Sequence, residues 1–313
     1  MDWKQDWLEL KRNFVGASDT ATLFGVNPWD TTLALWGRKT GRIAPKQMTE
    51  QMEVGELMEP VTAALYCRRT GRSIYPEFAD PKDASVHRFG PMAMYSLNDC
   101  PLSCTPDRLI APIQWRGEMQ MGTCQLKNTN FRMEKDWALD ENGVSSVPLH
   151  VQMQVQAEMA VLGCAWGSAA VVIGGCDFRC ADIERNEAFI QSLMVKAAQF
   201  MWYVKNDKQP PDLSPDDRDT LNELYPEHTP GKVIALPDEA GIITERYELA
   251  KAAMDHNESI VEHCKAQIQA MLGDAEKGIV PGDGGAWTWK HQAACEVKAF
   301  TRKASRPLRR TKK

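Results

Sequence analysis

The sequence predicts an α/β fold in which a central mixed β-sheet is flanked by helices, with a helical appendage towards the C-terminal end. Three observations predict it. Two strand-like runs, 89–113 and 121–127, follow three helical segments and precede a further helix, a hairpin and another helix. Apolar residues make up 43% of the 313 residues, enough for a globular core, while charged residues stand at an ordinary 25%. Past a segment holding Pro210, Pro211 and Pro215, the pattern changes to one long heptad-spaced helix. The expected organisation is a core over 1–207, a Pro-containing linker with a short helix over 208–237, and an appendage over 238–313.

The elements follow in order. Residues 3–12 read as a short amphipathic helix. Gly16-Ala17-Ser18-Asp19 precedes an apolar helical run to Phe24, with Ser18 or Asp19 as N-cap. Gly25-Val26-Asn27-Pro28 is a turn, and Asp30 or Thr31 opens a second helix that closes near Thr40-Gly41. A third helix spans 49–71, with Met52, Leu57, Met58, Val61 and Leu65 as its apolar set. Gly55 and Glu59 fall four apart on another face, where Gly55 would allow close approach. Trp115-Arg116-Gly117 turns the first strand-like run into the second. Residues 128–148 are polar and irregular, with Trp137 as anchor. A helix over 150–162 ends at Gly163. Two alternating runs, 168–172 and 177–183, flank Gly174-Gly175 as a hairpin. A helix over 186–204 carries Phe189, Ile190, Leu193, Met194, Phe200 and Trp202 inward, and 221–225 forms one more short helix.

The appendage opens with a helix over 238–272. Ile243, Tyr247, Ala250, Met254, Asn257, Val261, Cys264, Ile268 and Met271 alternate in steps of four and three, a heptad seam that pairs with another helix or packs on the body. Residues 286–290 and 295–297 are expected to form a small hairpin before a basic tail.

Composition narrows the function classes. No stretch approaches the ~20 apolar residues of a membrane span, and the first residues are no signal peptide, so the expectation is a cytoplasmic protein. Nine cysteines in a reducing compartment are not expected to form disulfides. The C-x3-C pairs Cys100/Cys104 and Cys176/Cys180 have zinc-compatible spacing. No His pair accompanies them, and the plain reading is small buried hydrophobes. A net charge of −5 argues against a simple nucleic-acid coat protein. From Lys298 onward there are eight Lys or Arg and no acid, which leaves 29 basic against 42 acidic side chains in the first 297 residues. An acidic body with a basic end suits an enzyme that gathers metal ions and meets nucleic acid locally; the plain alternative is a solvated tail.

Chemistry concentrates in Thr105-Pro106-Asp107 and Cys124-Gln125-Leu126-Lys127. Residues two apart on a strand share a face, so Gln125 and Lys127 project together. If that strand pairs beside Asp107, a carboxylate, an amide oxygen and an ammonium meet. Mg²⁺ takes one or two protein oxygens plus phosphate oxygens, and a lysine beside it can orient the attacking water, the equipment for phosphodiester cleavage. Glu59 could join from the third helix, or be a solvated surface acid. Free N–H groups at the helix start near Ser18 can bind phosphate, with Arg12 close before, or Ser18 is a plain cap. Gln154 can hydrogen-bond the lysine.

Pro106-Asp107 followed by Gln125-x-Lys127 resembles the PD-(D/E)xK nuclease signature, with Gln125 where an acid is usual. Together with Gly16-Ala17-Ser18-Asp19, Gly55 to Glu59-Pro60 and Gln154-Val155-Gln156 in one order, residues 10–205 resemble the YqaJ-type viral recombinase family, to which lambda exonuclease is similar. The resemblance implies a restriction-endonuclease-like PD-(D/E)xK core and a 5′-to-3′ exonuclease acting on double-stranded DNA. Such an enzyme makes 3′ overhangs for a single-strand annealing protein in phage recombination, inside a bacterial host. It implies Glu59, Asp107 and residue 125 as Mg²⁺ ligands, with Mn²⁺ as substitute, helped by the Leu126 carbonyl. Lys127 would activate or position the water, and Gln154 and Gln156 would lie beside the site. Arg12, Ser18 and Thr105 would hold the 5′ phosphate, and the assembly would be a homotrimer. An iron–sulfur cluster, found in some relatives of this nuclease class, is the other reading of the cysteines.

Gln125 departs from the pattern. An amide keeps the oxygen but removes a charge worth roughly 4 kcal/mol at an effective dielectric of ~20. Either the chain is a natural variant whose amide oxygen still ligates, or it is an inactivated form; on the sequence, Gln125→Glu should raise the rate or leave it. Competing readings are a non-catalytic DNA-end binding protein, a nonspecific endonuclease, and an adaptor built on the 243–271 seam.

Overall fold

Side-chain caps start several of the helices. Thr31 accepts the Ala34 N–H at 3.1 Å, Thr49 the Met52 N–H at 3.3 Å and Asn186 the Phe189 N–H at 3.0 Å. Gly71 and Gly163 end two others in the left-handed conformation. The computed structural model describes residues 3–75, 83–89, 92–282 and 284–292. The chain divides into two compact units, 1–226 and 227–313.

The first unit begins with α1 (Trp3–Lys11), β1 (Val15–Gly16), a 3-10 turn (Ala17–Asp19), α2 (Thr20–Leu23), α3 (Thr32–Lys39) and α4 (Glu50–Thr70). Strands β2 (Ile74–Tyr75), β3 (Ala84–Phe89), β4 (Met92–Leu97), β5 (Leu102–Cys104), β6 (Arg108–Trp115) and β7 (Glu118–Thr129) follow. A 3-10 segment (Phe131–Trp137) leads to α5 (Leu149–Leu162), β8 (Trp166–Ile173), β9 (Asp177–Glu184), α6 (Glu187–Lys205) and α7 (Asp217–Leu224).

The site-bearing sheet has the order β2-β6-β7-β8-β9. It is mixed: β7 and β8 run parallel, and the other neighbours antiparallel. A parallel pair needs a crossover, and α5 supplies it. Helix α4 covers one face, where Ala63 and Tyr66 pack on Ile110, Cys124, Leu126, Trp166 and Ala170. Helix α5 covers the other: Val151 packs with Ala169, Val171 and Ile173. A smaller sheet, β1-β5-β4-β3, lies alongside. This is the mixed sheet flanked by helices that the sequence predicts.

Several expectations change. In α4 the face towards the sheet carries Thr62, Ala63 and Tyr66, while Met52, Leu57 and Val61 are exposed. Glu59 shares the inner face with Thr62 and Tyr66, at helical spacings of three and seven. A Cβ on Gly55 would meet nothing within 4 Å, so Gly55 serves no close approach. Strands β2 and β3 were not expected. The Pro-containing segment leads into α7, which begins at Asp217 rather than near 221. Asp217 is buried and accepts the Thr31 hydroxyl and the Ser214 N–H, so this segment belongs to the first unit.

The second unit contains α8 (Glu239–Leu272), none of whose residues is buried among the described residues. Strand β10 (Lys277–Ile279) pairs with β11 (Ala286–Thr288). The expected partner of β11, 295–297, and the basic tail lie outside the described residues. Among the described residues no helix is long and apolar enough to cross a membrane.

Candidate functional site

The β6–β7 register sets the site. Arg108 stands opposite Cys124, which puts the Pro106-Asp107 turn beside β7, and Asp107 Oδ2 accepts the Leu126 N–H at 2.8 Å. Strand alternation then sorts the next side chains. Cys124 and Leu126 enter the cluster beneath α4, whereas Gln125 and Lys127 face α5. Lys127 Nζ donates to Gln125 Oε1 at 2.6 Å and to Gln154 Oε1 at 3.2 Å.

Behind these groups lies Glu158, fully buried on α5. It accepts from Thr123 Oγ1 at 2.6 Å, from Gln125 Nε2 at 2.7 Å and from Gln154 Nε2 at 3.4 Å. Burial and then the Asp107 charge push its carboxyl up to about 8. Gly167 on β8 allows this closeness: a Cβ there would come within 2.5 Å of Val155 Cγ1 on α5.

Glu59 reaches the same region from α4. It pairs with Arg108, whose Nη1 also donates to the Asp107 carbonyl. Burial and then the Asp107 charge raise the Glu59 carboxyl, against the pull of Arg108. Asp107 thus acts on Glu59 from the α4 side and on Glu158, with its partners Gln125 and Gln154, from the α5 side.

Ser18, Thr105 and Gln154 line one small pocket of about 50 Å³ with Lys11 and Gly16. The 3-10 turn beneath is braced by Asp19, which accepts the Gly16 N–H at 3.0 Å and pairs with Lys39 at 3.3 Å. Burial raises the Asp19 carboxyl, but the Lys39 and Lys11 charges outweigh it and hold it below its usual value. Arg12 is exposed and does not line this pocket; Lys11 is the cation that does. Gln156 corrects another expectation. On a helix, residues two apart point to nearly opposite sides, so Gln156 turns away from Gln154. Its amide donates to the Glu184 carbonyl at 2.6 Å and accepts the Asn186 N–H at 2.9 Å, where it joins β9 to α6.

Glu158, Lys11 and Arg108 were missed in the sequence. Glu158 had a usable clue: it is a lone acid inside the apolar run Val155 to Leu162, four residues after Gln154. Lys11 and Arg108 carried none beyond adjacency to residues already singled out.

Mg²⁺ and Mn²⁺ prefer oxygen donors. Among the described residues no three His, Cys, Asp or Glu side chains form a metal cage; Cys100, Cys104, Cys124 and Cys164 are buried, while Cys176 and Cys264 are exposed. The oxygens that fit are the Asp107 and Glu59 carboxylates, the Gln125 amide oxygen with its second lone pair, and the Leu126 carbonyl. Burial first, and then the Asp107 charge, raises the carboxyls of both Glu59 and Glu158.

The profile of the YqaJ-like viral recombinase domain matches residues 6–165. The chain is 27% identical over 293 residues to the "Uncharacterized protein YqaJ" of Bacillus subtilis (strain 168), covering 91% of this chain and 83% of that one. Among solved structures it is similar to an alkaline exonuclease, LHK-Exo, from Laribacter hongkongensis, with a TM-score of 0.45, 17% identity, and coverage of 65% of this chain and 93% of that one. A phage related exonuclease from Haemophilus somnus matches with a TM-score of 0.35, 9% identity, and coverage of 62% and 96%. With the family profile spanning half its length, the chain belongs to the YqaJ-like viral recombinase family.

Proposed function

We propose that this protein is a metal-dependent nuclease that digests double-stranded DNA from a 5′-phosphorylated end and leaves 3′ single-stranded overhangs for an annealing partner in recombination. The observation that carries the reading is the joining of Asp107 to the Leu126 N–H, one residue from a Lys127 held by two amide oxygens. Asp107, Glu59, Gln125 and the Leu126 carbonyl would hold Mg²⁺, with Mn²⁺ as substitute. When bound, the ion supplies charge stabilisation at the scissile phosphate. The ammonium of Lys127 has three donors; two go to amides, and the third is the one to orient the attacking water. Arg108 keeps Glu59 beside Asp107. Ser18, Thr105 and Lys11 receive the terminal phosphate, with Arg12 in the surrounding field. By family resemblance the working assembly is a homotrimer, which mass measurement in solution checks.

The test compares linear 5′-phosphorylated, linear 5′-hydroxyl and closed circular duplex, with and without Mg²⁺. Digestion of the phosphorylated linear duplex alone, and only with metal, is expected. Nicking of the circle would make the protein an endonuclease, and retention of ends without cleavage an end-binding protein. Lys11→Ala with Ser18→Ala should cut the preference for a 5′ phosphate about tenfold or more, since charge-assisted hydrogen bonds contribute roughly 1.5–3 kcal/mol each. Unchanged preference would remove this pocket from the proposal.

A further inference from the structure

Glu158 and the two glutamines form a closed circuit around Lys127. Glu158 Oε1 accepts from the amides of Gln125 at 2.7 Å and Gln154 at 3.4 Å. The oxygens of those same amides accept from Lys127 Nζ at 2.6 and 3.2 Å. An amide can be turned over, but not here. Reversal at 125 would set the amide oxygen against Glu158 Oε1, which already accepts from Gln154, and an NH₂ group against the Lys127 ammonium. Glu158 thus determines which atom of residue 125 faces the reaction.

We infer that Glu158 is a positioning residue matched to Gln125: it takes the amide NH₂, and so presents the amide oxygens of Gln125 and Gln154 to Lys127 and the metal position. The inference rests on the nuclease reading for its functional half and on geometry alone for its pairing half. It also reverses the expectation for Gln125→Glu. A glutamate at 125 would set a second carboxyl against Glu158 at 2.7 Å, with at most one shared proton where the wild type has an amide donor, in a place closed to water. The glutamine is then the residue this site requires, and the acid usual in the signature would be misplaced.

The test is a double-mutant cycle on the full chain with Gln125→Glu, Glu158→Gln and the pair together. In the pair, the amide at 158 donates to the carboxylate at 125, whose other oxygen still accepts from Lys127. Each single variant is expected to lose about tenfold or more in Mg²⁺-dependent digestion and to melt roughly 5 °C lower without metal. The pair is expected to return to within about threefold of the wild-type rate and to regain most of the melting temperature and the Mn²⁺ affinity read by calorimetry. Gln125→Glu matching or exceeding the wild type would overturn the inference, as would losses that simply add in the pair. If the wild type cleaves no duplex, the nuclease reading fails; the melting and Mn²⁺ cycles still decide whether 125 and 158 are matched.

Discussion

Lys127→Ala is expected to lower Mg²⁺-dependent digestion of linear duplex about a thousandfold while duplex binding stays within a few-fold, because a positioned proton-transfer or orienting group typically contributes 10²–10⁴ in rate. Lys127 Nζ is fixed by Gln125 Oε1 and Gln154 Oε1, so its remaining donor has a defined direction. Methionine would fill the space but supply no donor, and should be as inactive as alanine. Arginine is no substitute either: its planar fork cannot hold two amide oxygens and a water from one point. Rate is measured as acid-soluble nucleotide release, binding as anisotropy of an end-labelled duplex. A melting temperature within a few degrees of wild type separates lost chemistry from unfolding. Full activity in Lys127→Ala would falsify the assignment of this lysine to the reaction.

Trp166→Ala is expected to destabilise the first unit by about 3–5 kcal/mol, roughly 10 °C in melting temperature for a unit of this size. Trp166 is fully buried at the start of β8. Its ring stacks on Trp115 at 4.7 Å between centroids, and Arg72 lies 4.8 Å from its centroid on a cation–π contact. Its Nε1 donates to the Gln120 carbonyl at 3.3 Å. The neighbouring strand makes room: a Cβ on Gly122 would come within 2.8 Å of the ring. Truncation therefore opens a cavity that Gly122 cannot fill. Phenylalanine should recover about half of the loss, since it keeps the stack and loses the hydrogen bond. Chemical or thermal unfolding reads both. A Trp166→Ala protein as stable as wild type would mean that α4 closes over the gap.

Much of this architecture was legible because local chemistry and tertiary need agree. Thr31, Thr49 and Asn186 cap helices, Gly71 and Gly163 stop them, and Gly174-Gly175 turns a hairpin. Alternation on a strand put Gln125 and Lys127 on one face; the pairing of Asp107 beside that strand was a condition of the reading, and the Asp107 bond to the Leu126 N–H meets it. Other parts needed contacts that no local pattern carries. Strand β3 reads Ala-Ser-Val-His-Arg-Phe, with Ser85 and Arg88 exposed and no residue fully buried, so it lacks the apolar alternation that marks a strand. In α4 the conspicuous apolar residues, Met52, Leu57 and Val61, face outward, and the helix is placed by Ala63 and Tyr66. Gln154 and Gln156 look equivalent in a string, yet helix period sends one to Lys127 and the other to the β9–α6 connection. Glu158 stands out as a lone acid in its run, but its role depends on Gln125, a residue 33 positions away.

Gly167 touches none of the reacting groups, yet it has a say in all of them. Val155 could not rest where it does if any side chain grew from that point of β8, and the helix turn bearing Gln154 and Glu158 would ride higher. The spacing of the whole ring of polar contacts is thus written in a missing methyl group. A Gly167→Ala protein should remain folded but run slow, its lysine tethered to amides that have backed away. Retuning the reach of Lys127 would begin at that silent position rather than among the acids.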